Sequence, residues 1–187
     1  MQNAGEAVTG QMHQKGYLSN SPDVIILAGH GNNGGDGFVI AASLLKAGIS
    51  VSIINTTDSD SLKGDALYHF QKLADLDIDG ETWSNSASQH KQILESDIIV
   101  DALLGTGIEG EIRAPYDTLI SLANQSLAKC IAVDVPSGVT GDHGKVLEPC
   151  IHAELTVSMG FGKQGCLFEP ARSFSGTVVP VDIGFPE

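Results

Sequence analysis

The sequence predicts an α/β protein with a three-layer, Rossmann-like α/β/α architecture and a mostly parallel, doubly wound sheet. Segments with helical periodicity alternate with short apolar runs, which is typical of consecutive βαβ units. The length of 187 residues suits a single domain with a sizeable core. The runs rich in Val, Ile and Leu, each predicted to form a strand, are 24–28, 50–54, 97–101, 130–134, 154–158 and 177–181.

The first predicted helix covers residues 2–15 and places Ala4, Val8 and Met12 on one face. Because this pattern is already established at Met1, we expect that part of the N-terminal helix precedes it in longer relatives. The other predicted helices are 38–47, 61–73, 88–95 and 115–124.

The last third of the chain has a different pattern. After Asp142, glycine and proline become frequent and helical periodicity fades. We therefore expect strands joined by loops in this part, and the pattern leaves an antiparallel edge strand open.

The composition excludes several classes of partner. Asp and Glu number 23 against 10 Lys and Arg, so the formal net charge of −13 disfavours nucleic acid and acidic membrane surfaces. No apolar run is long enough to cross a bilayer. Cys130, Cys150 and Cys166 form no C-x-x-C pair and are predicted to be reduced and partly buried, which is typical of a cytoplasmic protein.

The most informative segment is the loop that follows the first predicted strand. Residues Gly29 to Gly37 contain five glycines in nine positions, and a helix is expected to begin at Phe38. Bare main-chain N–H groups and a helix N-terminus together form a cradle for an anion or a nucleotide. Three of the glycines have the spacing G-x-G-x-x-G, but the asparagines and the aspartate of the loop are not part of the ordinary dinucleotide fingerprint. An ordinary dehydrogenase is therefore not the first interpretation.

Two more predicted strands end in a carboxylate followed by a glycine-containing turn, at Asp101 and at Asp134. In a doubly wound sheet, ligands bind beyond the carboxyl ends of the strands, so these corners are expected to share a site with the first loop. Two neighbouring carboxylates repel each other unless a cation, a proton or hydrogen bonds compensate them, and one is expected to bind a metal while the other moves protons. Asn33 and Ser137 add neutral oxygens, and an oxygen-only set with a single carboxylate suits potassium or sodium.

Each corner taken alone has a simpler explanation. A glycine-rich turn is often just a tight connection, and an aspartate at a strand end commonly caps the next helix. The coincidence of three such corners favours a ligand site. Lys163, Arg172 and His30 are predicted to be solvated surface residues, and Cys166 is predicted to lie in the core rather than act as a nucleophile.

In their order and composition, these three motifs resemble those of the NAD(P)H-hydrate epimerases, the YjeF N-terminal domain. The resemblance covers almost the whole chain as one domain, residues 1–187, from the Asn-Ala-Gly of the first helix to closing strands that extend to Pro186. Gln2 and Glu111 stand where the family usually has Glu and Asp.

The resemblance implies an enzyme that interconverts the R and S forms of hydrated NADH and NADPH, in partnership with an NAD(P)H-hydrate dehydratase that is either fused or separate. It implies a homodimer, in a family whose subunits pair partly through the segment before the first helix. It also implies a potassium ion held by Asn33, Asp101 and Ser137. The residues that it implies contact the dinucleotide are Asn32, Asn33, Gly34, Gly35, Asp36, Gly105, Thr106, Gly107, Ile108, Glu109, Gly110, Glu111 and Asp134.

A hydroxyl beside a ring nitrogen leaves and returns only when a nearby group handles protons. We hypothesise that Asp134 is this general acid/base, because the cation would hold Asp101 ionised. One alternative is a catalytically silent ligand- or protein-binding scaffold of the same fold, which the intact motifs and acidic surface disfavour. Another is a kinase or dehydrogenase, which is disfavoured because no G-x-x-x-x-G-K-[S/T] occurs and Asn55 follows the second strand where a ribose-binding acid is expected.

Overall fold

A computed structural model describes residues 1–184 of the chain and contains one seven-stranded sheet with helices on both faces. The strands in chain order are β1 (Val24–Ala28), β2 (Val51–Asn55), β3 (Glu81–Thr82), β4 (Ile98–Ala102), β5 (Lys129–Val133), β6 (Leu155–Met159) and β7 (Thr177–Val181). The helices are α1 (Gln2–Gln14), α2 (Asn32–Lys46), α3 (Gly64–Gln71), α4 (Ala87–Glu95), α5 (Tyr116–Gln125), α6 (Gln164–Leu167) and α7 (Arg172–Ser175), with 3₁₀ turns at Ser59–Ser61 and Ala74–Leu76.

The strand order places a topological switch point at the centre of the sheet. The order is β3-β2-β1-β4-β5-β6-β7, and every neighbouring pair runs parallel. From β1 the chain first builds the sheet towards β3 and then crosses to β4 on the other side of β1. Helices that leave β1 and β4 therefore diverge, which opens a crevice at the carboxyl ends of these strands.

The apolar character of the strands follows from burial on both faces. Every residue of β1, β4 and β6 is buried. Alternate residues of β1 show the two layers: Ile26 belongs to the core that contains Phe38 of α2, and Leu27 to the core that contains Leu119 of α5. The three-layer, doubly wound fold predicted from the sequence is thus confirmed.

The start of α2 differs from the prediction. The helix begins at Asn32, with Gly31 as its extended N-cap residue, and not at Phe38. Glycines and asparagines have low intrinsic helix propensity, so the sequence pattern alone indicated a loop. Tertiary contacts override that preference here, and the residues predicted to form a loop constitute the first turns of the helix.

The last third of the chain also differs. The open possibility of an antiparallel edge is wrong, since β7 pairs parallel with β6, with Leu155 opposite Thr177. The short helices α6 and α7 lie between these strands and form the crossover that a parallel pair requires. The predicted extension of the closing strands to Pro186 lies outside the described residues.

Two smaller elements, β3 and α3, differ from what the sequence predicts. The two-residue strand β3 is exposed throughout and too short to produce a pattern. The helix predicted for residues 61–73 is shorter than expected, because a 3₁₀ turn ends at Ser61 and α3 covers only Gly64–Gln71. Within residues 1–184, no helix is both long and apolar enough to cross a membrane.

Phe38 tests the packing of α2, which carries the glycine-rich motif. Its ring is fully buried and packs edge-on against Phe70 of α3, with 5.2 Å between ring centroids. We expect Phe38→Ala to lower the free energy of unfolding by about 3–5 kcal/mol, because the change leaves a cavity in a close-packed core. Denaturant unfolding measures this. The matched control is Phe161→Ala, at a side chain that is 79% exposed, and equal losses in both variants would contradict the assigned core.

Candidate active site

The three predicted corners meet at one cavity of about 480 Å³ at the carboxyl edge of the sheet. We call it the main cavity. The first corner contributes Asn32, Asn33 and Asp36 to its lining, and the third contributes Asp134. From the second corner come Gly105, Thr106, Gly107 and Ile108.

A second cleft of about 540 Å³ continues from the main cavity and shares Leu104, Gly107 and Ile108 with it. Glu109, Gly110 and Glu111 line this adjacent cleft instead of the main cavity. The second motif is therefore spread over both spaces, and together they provide an elongated site.

The glycines of the first loop have two different roles. A side chain on Gly29 would overlap the carbonyl of Leu103, and one on Gly34 would overlap the carbonyl of Gly29. These glycines allow β1, α2 and the loop after β4 to approach one another closely. Gly31 has no atom within 4 Å of an added Cβ, so its absent side chain leaves the cavity open.

Gly34 and Gly35 do not line the main cavity, although both belong to the motif. Both are buried in α2, and a side chain on Gly35 would run into the Met1 side chain and approach Ala66 of α3. The structure thus places these two residues beneath the site. Their contact with a dinucleotide stays a prediction.

Asn33, Asp101, Ser137 and the carbonyl of Leu104 form what we call the oxygen cluster. The fully buried Asp101 carboxylate accepts hydrogen bonds from the Ser137 amide (2.7 Å), the Ser137 hydroxyl (2.6 Å) and the Leu103 amide (3.3 Å). Ser137 Oγ also accepts from the Leu104 amide at 2.9 Å, and Asn33 Nδ2 donates to the Leu104 carbonyl at 3.1 Å. Leu104 therefore joins Asn33 to Ser137, and Ser137 joins this pair to Asp101, so the three side chains that the sequence predicted as metal ligands form one network.

The electrostatics of Asp101 are unusual for a buried acid. Burial raises the pKa of Asp101 to about 6, although hydrogen bonds from Ser137 and Leu103 oppose that increase. In the described part of the chain no side-chain cation pairs with this carboxylate. Residues 1–184 also hold no group of three His, Cys, Asp or Glu able to bind a metal, so a cation here would be held by the Asp101 carboxylate together with amide, hydroxyl and carbonyl oxygens.

Asp134 follows β5 directly and has a left-handed backbone conformation, with φ of 67°. Its Oδ1 accepts a hydrogen bond from the Met159 amide at 2.9 Å and lies 3.0 Å from Lys163 Nζ. The prediction of a solvated surface role for Lys163 is therefore wrong. The Lys163 side chain is only 26% exposed, and its ammonium group is directed at the predicted catalytic acid.

Asp36 brings a second carboxyl group to the main cavity, from the second turn of α2. Burial raises its pKa to about 7, the terminal amine of Met1 at 3.9 Å opposes that rise, and the negative charge of Asp134 adds to it. Asp36 and Asp134 therefore have different electrostatic surroundings at the same cavity. Such a difference is typical of sites in which one carboxyl holds a proton and the other accepts one.

A polar contact that was not predicted from the sequence joins the main cavity and the adjacent cleft. His30 lines the main cavity and Tyr116 lines the adjacent cleft, and His30 Nδ1 lies 2.7 Å from the Tyr116 hydroxyl. Thr56 Oγ1 lies 3.4 Å from the same hydroxyl. His30 is exposed as predicted, but it is not a simple surface residue. Tyr116 gave no signal in the sequence, because it occupies an ordinary position in the first turn of α5.

The sheet order and the glycine-lined cavity at its switch point are those of a Rossmann-like, doubly wound α/β protein. The family described as YjeF-related protein N-terminus matches residues 1–165, and the chain belongs to this family. A crystal structure of the yeast protein ynu0 (YNL200c) has the same fold, with a TM-score of 0.82 and 21% sequence identity over 97% of this chain and 76% of that chain.

Curated relatives of this chain are named either as NAD(P)H-hydrate epimerases or as bifunctional NAD(P)H-hydrate repair enzymes. The chain is 35% identical to an NAD(P)H-hydrate epimerase of Pirellula staleyi, with 100% of this chain and 82% of that protein covered. It is 36% identical to an NAD(P)H-hydrate epimerase of Rhodopirellula baltica, of which it covers 75%. A protein of Moorella thermoacetica named bifunctional NAD(P)H-hydrate repair enzyme Nnr is also 35% identical, but the chain spans only 36% of its length.

The raised pKa of Asp36 predicts a pH effect on stability. Because its pKa in the folded protein is near 7 and its ordinary value is 3.8, the folded state binds this proton more tightly than the unfolded state does. The contribution of Asp36 to the stability of the parent protein should therefore fall as the pH rises from 4 to 8. At pH 8 the free energy of unfolding of Asp36→Asn should exceed that of the parent by about 2–4 kcal/mol. At pH 4 the two proteins should differ little.

Denaturant unfolding at both pH values measures this difference. Asp79→Asn, at an exposed aspartate, is the matched control and should show the same small effect at each pH. If Asp36→Asn behaves like this control, the assigned environment of Asp36 is wrong.

Proposed function

We propose that this chain is an NAD(P)H-hydrate epimerase that interconverts the R and S forms of hydrated NADH and NADPH. The observation that carries the proposal is the convergence of all three family motifs on one cavity that contains two differently placed carboxyl groups, Asp36 and Asp134. The full-length match to relatives named as epimerases supports the same activity.

The reaction needs a proton donor and a proton acceptor at one ring carbon. The C6 hydroxyl takes a proton and leaves as water, while the lone pair of the ring nitrogen forms a C=N bond to C6. Water then adds to the opposite face of C6 and loses a proton, which restores the hydrate with inverted configuration. A carboxyl group that alternates between its acid and its carboxylate form serves both steps.

We assign this role to Asp134, because its carboxylate lines the main cavity next to the glycine-rich loops. Asp36 lies at the same cavity, and a pKa near 7 leaves a proton on it in a substantial fraction of molecules at neutral pH. In that form Asp36 donates a hydrogen bond to the substrate. Gly31 and Gly107 line the cavity and have open space at the Cβ position, so the phosphates of the dinucleotide can approach the main chain closely there.

The oxygen cluster fits a potassium ion. It combines one buried carboxylate, one amide, one hydroxyl and one main-chain carbonyl, which are the ligands of a hard cation of low charge. Asn33, Asp101 and Ser137 would hold the ion. When bound, it would supply a fixed positive charge that keeps Asp101 ionised beside the substrate site.

The bifunctional relatives suggest the functional partner. Because this chain matches about a third of their length, we propose that it acts with an NAD(P)H-hydrate dehydratase, fused or separate, that consumes one of the two epimers. A homodimer and a cytoplasmic location are part of the same proposal. The three cysteines are free and buried, which suits a reducing compartment.

The decisive assay starts from one purified epimer of hydrated NADH. We expect the protein to produce the other epimer faster than the uncatalysed control, as followed by chromatography. Asp134→Asn should lose this activity by at least about a hundredfold, because an amide neither donates an acidic proton nor accepts one. It should keep most of its affinity for the dinucleotide, which equilibrium dialysis measures.

Asp79→Asn is the matched control for the Asp134 variant and should retain full activity. Full activity in Asp134→Asn would refute the assigned role of Asp134. No conversion by the parent protein, with or without potassium, would favour the alternative of a non-catalytic scaffold.

The potassium site makes a separate prediction about stability. Potassium chloride should raise the unfolding temperature of the parent protein relative to choline chloride of equal ionic strength, because an ion that binds only the folded state stabilises it. Asp101→Asn should lose this increase, since the only carboxylate of the oxygen cluster is gone. An equal increase in the parent and in the variant would place the ion elsewhere.

A further inference from the structure

We propose that Lys163 is a positioning residue for Asp134, which it holds with Oδ1 bound to the protein and Oδ2 directed at the substrate. The inference rests on the proposed epimerase function. It adds to that function a residue that lies outside the three motifs.

The contacts around Lys163 form a closed clamp. Its Nζ lies 3.0 Å from Asp134 Oδ1 and donates a hydrogen bond to the Met159 carbonyl at 2.8 Å. The Met159 amide donates to the same Oδ1 at 2.9 Å. Within residues 1–184, every donor to this carboxylate contacts Oδ1, so Oδ2 is the oxygen left for the cavity.

The backbone conformation of Asp134 explains why its carboxylate has to be held by other groups. Asp134 has a φ of 67°. This value lies in the left-handed region, which is energetically unfavourable for a residue that has a side chain. Its amide still donates to the Val157 carbonyl of β6 at 2.8 Å, while its side chain lines the main cavity. The contacts at Oδ1 fix the orientation of the carboxylate, which the backbone conformation alone does not fix.

Lys163 is itself held by the sheet edge. It immediately precedes α6, in the loop that leaves β6. The amide of Gly160 in this loop donates to the Val181 carbonyl of β7 at 2.7 Å. The loop is therefore tied to both β6 and β7, and this attachment fixes the position from which Lys163 reaches Asp134.

Charge balance supports the same assignment. Asp36 and Asp134 bring two carboxyl groups to the main cavity of a protein whose net charge is −13. Among the described residues, Lys163 is the side chain that places a cation on either of them. Two of its three protons are engaged by Asp134 and Met159, so its geometry suits support of the acid better than capture of a substrate phosphate.

The experiment compares Lys163→Met and Lys163→Arg with the control Lys91→Met, at a lysine that is 71% exposed and pairs with Glu95. Lys163→Met should lower kcat about tenfold to a hundredfold with little change in KM, because a misplaced acid slows the reaction and not the binding. Lys163→Arg should recover part of kcat, since a cation still reaches Oδ1. Lys91→Met should match the parent.

A rise in KM at unchanged kcat would assign Lys163 to substrate binding and overturn the proposal. Equal losses in the Met and Arg variants would also overturn it, because the charge would then be irrelevant.

A readout that does not depend on activity separates this proposal from the proposed function. The unfolding temperatures of Asp134→Asn, Lys163→Met and the double variant form a cycle. The shift in the double variant should be smaller than the sum of the two single shifts, because each single change breaks the same contact. Additive shifts would overturn the clamp. If the shifts are non-additive but the parent protein shows no epimerisation, the epimerase function is refuted and the clamp is retained.

Discussion

Close backbone contact at the switch point is the constraint on which the rest of the site depends. The amide of Gly29 donates to the Ala102 carbonyl at 2.9 Å, and Gly29 lies against both Leu103 and Gly34. A side chain at Gly29 or Gly34 would force β1, α2 and the loop after β4 apart. Because these elements touch, Asn33 at the start of α2 reaches the Leu104 carbonyl. The oxygen cluster exists only as long as this contact does.

The three carboxyl groups of the site have different electrostatic environments, because different groups compensate the negative charge of each. Asp101 is fully buried and compensated by neutral donors from Ser137 and Leu103, so its environment suits an added cation. Asp134 is compensated by a lysine and a main-chain amide. Asp36 has the weakest compensation, a terminal amine at 3.9 Å. The main cavity provides a candidate base and a candidate proton donor, and the oxygen cluster, which shares Asn33 and Leu104 with it, provides a candidate cation ligand.

The sequence predicted most of what depends on local pattern and on strand order. Continuous apolar runs such as 24–28 indicated buried parallel strands, because only strands covered on both faces lack polar alternation. Because ligands bind beyond the strand ends of such a sheet, the sequence also grouped Asn33, Asp101 and Ser137 at one edge. Pattern failed where tertiary contacts outweigh propensity, as at the start of α2, and where a crossover replaced the expected loops before β7.

The fold class and the three motif corners could be predicted from the chain alone, because both follow from hydrophobic periodicity and from residue types at strand ends. Which side chains meet at these corners depends on the packing of the whole sheet. Lys163 lies 29 positions after Asp134 and Tyr116 lies 86 after His30, so no local pattern connects them. Their contacts arise from the parallel order of the strands, which brings distant loops to one edge of the sheet.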